Sequence, residues 1–270
     1  SPDSVDEVFM GNVCSANLGQ APARQVALQS GISKTTPCTT INKVCASGMK
    51  SIFFGVQSIQ LGIHHVVVCG GMESMSNIPY YLPNQRWGSK YGDAKVVDGL
   101  SEDGLKDSFD QQAMGVYADT VAAEEAISRE AQDQYAIASY TRAKIAFDQG
   151  WFEDEITPIL IPQRKGDPIC MTRDEEYTQV NFEKIPSLRP AFTKEGTATA
   201  ANASTINDGA AALVLVSKEF LELHKLTPLV KVMGYADAAL SPEKFTVAPV
   251  ASAKKIIKQH ALSFADIDVF

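Results

Sequence analysis

The run His65-Val66-Val67-Val68-Cys69 constrains the fold of this chain more than any other stretch. After His65 it is uniformly apolar and rich in β-branched residues, which is typical of a strand buried on both faces. Gly70 and Gly71 follow, and glycines at this place predict the end of the strand. Strands of this kind occur in parallel sheets covered by helices, so the run predicts an α/β fold.

The flanking sequence alternates between strand-like and helix-like segments. Before the valine run, the pattern predicts a strand at residues 8–10, a helix over 21–29 and a second helix from near Cys45 to about Gly62. After residue 204 it predicts a buried strand over 210–216, a helix capped by Ser217 that ends at His224, a strand over 229–235 and a helix over 251–260. Such alternation predicts βαβ units around a parallel sheet.

Residues 76–204 differ in character from both flanks. Prolines and glycines interrupt their first part, and acidic turns continue to Asp110. Helices are predicted over residues 112–126 and from a Ser128 N-cap to Gln149, followed by a strand over 156–161 and a charged loop over 164–177. We interpret this stretch as an insertion into the α/β unit.

Cys45 stands at the start of a predicted helix beside Ala46, Ser47 and Gly48, which are too small to cover it. Helix N-termini and nearby cations, here Lys43 or Lys50, lower thiol pKa values in proteins and so favour the nucleophilic thiolate. The free N–H groups of a first helical turn can also hold a developing oxyanion. The alternative is a buried cysteine that packs as a small hydrophobe.

Charge and cysteine content exclude several classes of protein. The chain has 24 basic and 32 acidic residues, a net charge of −8, which argues against nucleic acid or an anionic membrane as a general partner. Its five cysteines lack paired spacing and predict reduced thiols in an intracellular compartment, with no zinc site. No apolar run of membrane-spanning length and no signal-peptide pattern occurs, so we expect a soluble chain; any transit peptide would lie outside these residues.

The stretch around Cys45, Ile41-Asn42-Lys43-Val44-Cys45-Ala46-Ser47-Gly48-Met49-Lys50, resembles the nucleophile segment of the thiolases. Agreement continues in Gly11-Asn12-Val13, in residues 19–25 and 70–76, and in Ala200-Ala201-Asn202-Ala203-Ser204. These neighbours resemble the acetoacetyl-CoA thiolase branch, in its mitochondrial, potassium-dependent type. The β-ketoacyl synthases share the architecture, but their cysteine stands in a different context. Agreement spread over nearly the whole chain is more specific than any single motif.

The resemblance implies a layered α/β/α/β/α thiolase fold with an inserted loop domain. It divides the chain into an N-terminal domain with the nucleophile (1–75), a loop domain that covers CoA (76–204), a return to the N-terminal domain (205–227) and the start of the C-terminal domain (228–270). The last residues, Asp266-Ile267-Asp268-Val269-Phe270, resemble the stretch before the family's Asn-Glu-Ala-Phe motif. We therefore expect a chain truncated at both ends, with an incomplete C-terminal half.

The resemblance also implies the site residues. Cys45 matches the acyl-accepting nucleophile, whereas the family's Gly-His-Pro histidine and second catalytic cysteine have no matching motif in residues 1–270. The implied CoA-binding residues are Tyr140, Gln179, Val180, Asn181, Lys184 and Ser204. A potassium ion would be held by Tyr140 and the backbone carbonyls of Ala200, Ala201 and Ala203, since hard oxygen ligands suit such a cation.

The function implied by the resemblance is condensation of two acetyl-CoA molecules to acetoacetyl-CoA and CoA, or the reverse thiolysis, through an acyl-Cys45 intermediate. Two alternatives stay open: a longer-chain 3-ketoacyl-CoA thiolase, and a non-catalytic CoA-binding remnant of the fold. The resemblance further implies a homodimer or homotetramer, no membrane or nucleic-acid partner, and a mitochondrial or, alternatively, cytoplasmic location in ketone-body and isoleucine metabolism. Phe245-Thr246 stands where enzymes that accept 2-methyl-branched substrates carry a Phe-Pro pair. The use of branched substrates by this chain is therefore left open.

Overall fold

The computed structural model describes all residues from Ser1 to Phe270. The chain forms two compact units, one from Ser1–Gln112 together with Ile206–Phe270 and the other from Ala113–Thr205. Residues 76–112 therefore lie in the first unit, whereas the resemblance implied that they belong to the inserted domain. Contacts such as the one from Ser76 to Asp208 attach this segment to the first unit, because the Ser76 backbone N–H donates to the Asp208 carboxylate at 3.0 Å.

The first unit is built on a four-stranded sheet. Its strands are β1 (Glu7–Gly11), β2 (Cys38–Ile41), β3 (Val66–Ser74) and β8 (Asp208–Val216). They lie in the order β2-β1-β3-β8. Strands β2, β1 and β3 run parallel, and β8 pairs antiparallel with β3. The α/β class predicted from the valine run is confirmed, but the sheet is mixed because its last strand runs in the opposite direction.

Two details of this sheet differ from the predictions. Strand β3 does not end at Gly70 and Gly71 but continues to Ser74, because both glycines pair with β1 on one side and with β8 on the other. Strand β8 was predicted to be buried, yet it is an edge strand whose Val214 side chain is 60% exposed. Its apolar sequence is that of a sheet interior, but only β3 pairs with it.

Helices cover both faces of the sheet. Ala23 and Ala27 of α1 (Pro22–Gln29) pack against Val8 and Met10, and Ile52 and Ile59 of α2 (Ser47–Gln60) belong to the hydrophobic cluster on the opposite face. That second cluster contains Phe9, Ile41, Val67 and Cys69. Side chains of successive strand residues point to opposite faces, so Val8 and Phe9 bury different sides of the same strand. The predicted positions of both helices are confirmed to within two residues at each end.

The rest of the first unit is less regular. Its elements are β4 (Tyr80–Tyr81), β5 (Val97–Asp98), a π-helical turn over Ser101–Leu105, α6 (Lys218–His224) and α7 (Ala248–Gln259). Ser217 caps α6 as predicted, by accepting a hydrogen bond from the Phe220 N–H at 3.1 Å. The predicted strand over residues 229–235 is wrong: no strand pairs with this segment, and instead the Tyr235 ring stacks on Phe53 of α2 with centroids 4.9 Å apart.

The second unit is mainly helical. It contains α3 (Met114–Glu124), α4 (Arg129–Asp148), the hairpin strands β6 (Ile159–Ile161) and β7 (Ile169–Met171), and α5 (Glu176–Gln179). The Ser128 N-cap is confirmed, because its hydroxyl accepts from the Ala131 N–H at 3.1 Å. The charged stretch predicted as a loop contains β7 and the start of α5. None of the helices in the structure combines the length and apolar character needed to cross a membrane.

Candidate active site

Cys45 lies just before α2, at the end of the loop that follows strand β2. Helix α2 begins at Ser47 with Ala46 as N-cap, so Cys45 stands two residues ahead of the first helical residue. Its side chain is exposed, in contrast to the alternative of a buried packing cysteine. No side chain caps the helix at Ala46. The thiol therefore lies beside an open helix N-terminus.

The loop before Cys45 has an unusual backbone. Val44 adopts φ = +47°, a left-handed conformation that β-branched residues rarely populate. Three hydrogen bonds hold it there: Asn42 Oδ1 accepts from Val44 N–H at 3.0 Å, while Ser47 Oγ accepts from Lys43 N–H at 2.7 Å and donates to the Val44 carbonyl at 2.6 Å. Backbone strain of this kind costs about 1–3 kcal/mol and persists only where its surroundings enforce it. The surrounding bonds thus fix the direction in which Cys45 leaves the loop.

The first turn of α2 offers hydrogen-bond donors next to Cys45. The Ser47 N–H donates to the Val44 carbonyl at 3.0 Å, whereas the N–H groups of Gly48 and Met49 have no acceptor within the protein. An α-helix leaves its first N–H groups free and carries a partial positive charge at this end. The turn can therefore stabilise an oxygen that becomes negative when a thiolate attacks a carbonyl.

Cys45 and the start of α2 line a cavity of about 480 Å³. Its other walls come from the ends of β1 and β3, the start of β8 and the π-helical turn. The helix approaches the sheet closely because Gly11 has no side chain: a Cβ atom there would lie 2.5 Å from the Gly48 nitrogen and 2.6 Å from the Ser47 carbonyl carbon. Sheet and helix backbones thus form the floor of the cavity.

Glu73 lines the cavity and holds part of its wall together. Its carboxylate, at the end of β3, accepts hydrogen bonds from Val13 N–H at 2.8 Å, Cys14 N–H at 3.3 Å and Asn12 Nδ2 at 3.2 Å. Asn12 donates a second bond to the Met72 carbonyl at 3.1 Å. One carboxylate therefore ties residues 12–14, after β1, to the neighbouring strand.

The two lysines expected to act on the Cys45 thiol are both paired with Asp237. Lys50 Nζ lies 2.5 Å from Asp237 Oδ2, and Lys43 contacts Oδ1 of the same carboxylate. Hydrogen bonds from Lys43 and Lys50 lower the pKa of Asp237. The single Asp237 carboxylate offsets only one of the two positive charges, so the remaining charge adds to the partial positive charge of the helix N-terminus.

The remaining cysteines have different surroundings. Burial raises the pKa of Cys14, with the Glu73 and Asp103 carboxylates adding to the effect, and burial raises the pKa of Cys69 to about 12. Cys38 is half-buried and its thiol donates to the Thr36 carbonyl at 3.3 Å, while Cys170 is exposed on strand β7. Cys45 is thus the exposed thiol at a helix start.

The residues implied to bind CoA all lie in the second unit, and the structure brings only some of them together. Gln179 and Val180 lie at the end of α5. Asn181 caps the 3₁₀ turn that follows (Phe182–Ser187), because its side chain accepts a hydrogen bond from the Glu183 N–H at 3.1 Å. Lys184 is exposed within that turn. Tyr140 contacts this region, because its ring lies edge-on to Phe182 with centroids 6.5 Å apart.

Tyr140 is half-buried on α4 and donates its hydroxyl to Glu176 at 3.2 Å. Burial, followed by this bond to Glu176, raises the pKa of the tyrosine. The hydroxyl therefore stays protonated through the neutral range, where a phenol oxygen can still serve as an acceptor or a neutral ligand.

The turn that contains Ala200, Ala201 and Ala203 is anchored to the same helix, and Ser204 follows it as an exposed residue. Asn202 accepts from Thr199 N–H at 2.6 Å and donates to the buried Asp133 of α4 at 2.9 Å. No backbone N–H donates to the carbonyl oxygens of the three alanines. They are free to take a cation or water, and the structure contains no cluster of histidine, cysteine or carboxylate side chains that could hold a metal ion.

Asn12, Glu73 and Asp237 were not singled out by sequence reasoning. Asn12 and Glu73 each stood in a stretch quoted for the resemblance, and both follow predicted strands. The carboxyl ends of adjacent parallel strands meet at one edge of a sheet, so their proximity could have been predicted if the strand order had been known. Asp237 carried no such signal, because it lies in a segment whose predicted strand did not form.

Comparison with known proteins decides the family. The Thiolase N-terminal domain matches residues 1–219. The chain is 49% identical over 270 residues to a cytosolic acetyl-CoA acetyltransferase of Gibberella zeae, covering 100% of this chain and 68% of that protein. It belongs to the thiolase family. The mitochondrial acetyl-CoA acetyltransferase of Rattus norvegicus is a further thiolase relative, 48% identical over 266 residues, which are 98% of this chain and 62% of that one.

A solved thiolase structure confirms the fold. The Acat5 thiolase from Ascaris suum, in complex with coenzyme A, superimposes with a TM-score of 0.94 at 44% identity and covers 100% of this chain and 69% of that one. The chain thus spans roughly two thirds of the length of these thiolase relatives. The resemblance seen in the Cys45 stretch and the thiolase-like α/β fold are confirmed; the individual CoA and potassium residues stay predictions.

Proposed function

We propose that this chain belongs to an acetyl-CoA acetyltransferase and that Cys45 accepts the acetyl group. The observation that carries the proposal is the placement of Cys45: exposed, fixed by a strained loop, beside the open N-terminus of α2 and within a cavity. A cytosolic and a mitochondrial relative both carry the name acetyl-CoA acetyltransferase, which supports the acetyl-transfer reaction. Both cellular locations stay open, and cell fractionation would distinguish them.

The first half of the reaction follows from this geometry. The Cys45 thiolate attacks the thioester carbonyl carbon, and the carbonyl oxygen becomes an oxyanion that the Gly48 and Met49 N–H groups can stabilise. The bond from that carbon to the CoA sulfur then breaks, so that acetyl-Cys45 forms and CoA leaves as a thiolate that takes up a proton. In the second half, the carbanion of another acetyl-CoA, deprotonated by a base, attacks acetyl-Cys45 and displaces the Cys45 thiolate.

Mass spectrometry tests the first half directly. Incubation with acetyl-CoA should add one acetyl group, which peptide mapping should place on Cys45. Cys45→Ala should abolish the mass gain, whereas Cys170→Ala, which removes the other exposed thiol, should leave it unchanged. Labelling at Cys170 or Cys38 with an unmodified Cys45 would contradict the proposal. Rates with ketoacyl-CoA substrates of increasing length separate the acetoacetyl from the longer-chain alternative.

The proposal places the CoA nucleotide end at Tyr140, Gln179, Val180, Asn181, Lys184 and Ser204. Support comes from the surface position of this set: Gln179, Asn181, Lys184 and Ser204 are exposed, and Lys184 is a cation suited to a phosphate. The Ascaris suum relative, solved with coenzyme A, shares the fold of this region. The test is to replace Asn181 and Lys184 together by alanine and to measure the affinity for CoA. An unchanged affinity would contradict the assignment.

The proposal also includes a potassium ion held by the carbonyls of Ala200, Ala201 and Ala203 with the Tyr140 hydroxyl. Their unbonded carbonyl oxygens support it, since potassium would supply the missing partner and order this turn. Thermal stability should then rise in potassium relative to sodium at equal ionic strength, because a ligand of the folded state stabilises it by mass action. Tyr140→Phe should reduce the difference, and identical melting curves in both salts would remove the ion from the proposal.

A homo-oligomer is the assembly expected from the family resemblance. Light scattering over a concentration series tests it, and a monomer at all concentrations would contradict it.

A further inference from the structure

One buried polar atom in the wall of the Cys45 cavity has no partner. The Asn12 side chain is 3% exposed and lines the cavity, and its Oδ1 atom accepts no hydrogen bond in the protein. The great majority of buried polar atoms in folded proteins are hydrogen-bonded, because burial without a partner costs free energy. An orphaned acceptor in a cavity wall therefore points to a donor that arrives from outside.

The orientation of this amide is fixed by its other end. Asn12 Nδ2 donates to the Met72 carbonyl at 3.1 Å and to Glu73 Oε1 at 3.2 Å. Both partners are acceptors, so turning the amide round would set its oxygen against two other oxygens. Glu73 is itself held by the backbone N–H groups of Val13 and Cys14. The Oδ1 atom is thus presented by a built, rigid wall.

The chemistry of a thioester restricts what the missing donor can be. Its carbonyl oxygen accepts hydrogen bonds and its sulfur is at most a weak acceptor. The arm of CoA, however, carries an amide N–H two carbons from the sulfur, and this is the nearest donor to the reacting centre. Neither the Cys14 nor the Cys45 thiol donates to Asn12 Oδ1.

We propose that Asn12 Oδ1 accepts a hydrogen bond from the amide N–H of the substrate's thiol arm while the thioester lies at Cys45. The inference rests on the proposed acetyl transfer to Cys45. The cavity then has two polar ends: N–H donors at the start of α2 for the acyl oxygen, and an acceptor on Asn12 for the arm. A thioester can satisfy both in one orientation only.

Two small thioesters test this contact. S-acetyl-N-acetylcysteamine carries the N–H, and its oxygen analogue, S-acetyl-2-mercaptoethyl acetate, replaces the N–H by an ester oxygen. The rate of Cys45 acetylation is measured by mass spectrometry for each, and divided by the rate of the same thioester with free N-acetylcysteine to remove differences in intrinsic reactivity. Wild-type protein should prefer the N–H thioester by about 10-fold to 100-fold, because the analogue leaves a buried acceptor facing another oxygen.

The preference should fall to near 1 in Asn12→Leu, which has no acceptor. Because the preference is a ratio measured on one sample, a partly folded variant lowers both rates and leaves the ratio intact. The wild-type preference is a test that needs no variant, should Asn12→Leu fail to fold.

The outcomes separate the two proposals. Acetylation of Cys45 without preference in the wild type, or a preference retained in Asn12→Leu, would overturn the role of Asn12 and leave acetyl transfer to Cys45 standing. Failure of both thioesters and of acetyl-CoA to modify Cys45 would overturn acetyl transfer and the Asn12 contact with it.

Discussion

The surroundings of Cys45 and the segment assigned to the CoA nucleotide are built in different ways. Around Cys45, contacts join residues far apart in the chain, such as Glu73 with Val13 and Gly11 with Gly48. In residues 179–184 the assigned polar side chains are exposed, and their hydrogen bonds go to sequence neighbours, as from Gln179 to Glu175 at 3.3 Å. The first region therefore depends on the whole sheet, whereas the second can change locally without altering the fold.

This contrast predicts where substitutions are tolerated. Near Cys45 even one methyl group should destabilise the fold where helix and sheet backbones touch, while in the second unit a substitution should matter only at a buried anchor. The following changes test the contrast, from the largest expected effect to the smallest.

Gly11→Ala should have the largest effect. The new Cβ would meet the backbone of Ser47 and Gly48 at 2.5–2.6 Å, so α2 would have to move away from the sheet. Overpacking against backbone should cost about 3 kcal/mol of unfolding free energy and slow acetylation of Cys45. Urea denaturation and the acetylation assay measure both.

Gly209→Ala is the matched control, because Gly209 lines the same cavity but a Cβ there has nothing within 4 Å. Its stability should change by less than about 1 kcal/mol, in the stabilising direction. Equal effects of the two substitutions would contradict the close packing of α2 on the sheet.

Asp119→Ala should destabilise the second unit by about 2–3 kcal/mol. The buried Asp119 carboxylate accepts from Thr193 Oγ1 at 2.7 Å and from the N–H groups of Thr197 and Ala198 at 2.8 Å, and its loss leaves these donors unpaired. Thermal denaturation measures the loss, with Asp154→Ala in an exposed turn as control. Similar melting temperatures for both variants would show that buried anchors do not dominate this unit.

Lys184→Ala should weaken CoA binding about 3-fold to 10-fold without a change in melting temperature, since the side chain is exposed and has no structural partner. Titration calorimetry at low and high salt measures the effect, which should shrink as salt screens the lysine. Lys194→Ala, another exposed lysine of the same unit, is the control. If both variants bind CoA equally well, the phosphate contact assigned to Lys184 is wrong.

Asp237→Asn should have the smallest effect, roughly 0.2–1 kcal/mol at pH 7, because its pairs with Lys43 and Lys50 are partly exposed. Hydrogen bonds from those lysines lower the pKa of Asp237, so its contribution is present above the unfolded-state value near pH 4 and is lost as pH falls through the lower folded-state value. Urea denaturation should therefore separate wild type and variant at pH 7 and show them converging near pH 2. A difference that grows toward low pH would contradict this sign.

The elements predicted best are those whose residues decide their own structure. Helix α4 follows from its Ser128 cap and its apolar spacing, and β3 from its valines, without knowledge of any neighbour. The missed features depend on partners. Gly70 and Gly71 continue a strand because β1 and β8 pair with them, and residues 229–235 form no strand because nothing pairs with them.

The site shows the same division. Cys45 was predicted as the nucleophile because a cysteine among small residues at a helix start is a local signal, and the structure places it exposed just before α2. Asn12 and Glu73 meet only because β1 and β3 are neighbours, and pairing of Lys43 and Lys50 with Asp237 joins residues nearly 200 positions apart. The position of Cys45 at a helix start could thus be predicted from the sequence, while the pairing of the nearby lysines with Asp237 required the fold.

Strand β8 has a practical consequence for work with this chain. One edge of the strand is unpaired and its residues Leu213 and Val214 are 39% and 60% exposed, so it offers backbone donors and acceptors next to apolar side chains. Open edges of this kind template sheet growth between molecules. Storage at high concentration should therefore favour slow aggregation, and a lysine at position 214 should act as a gatekeeper that extends shelf life.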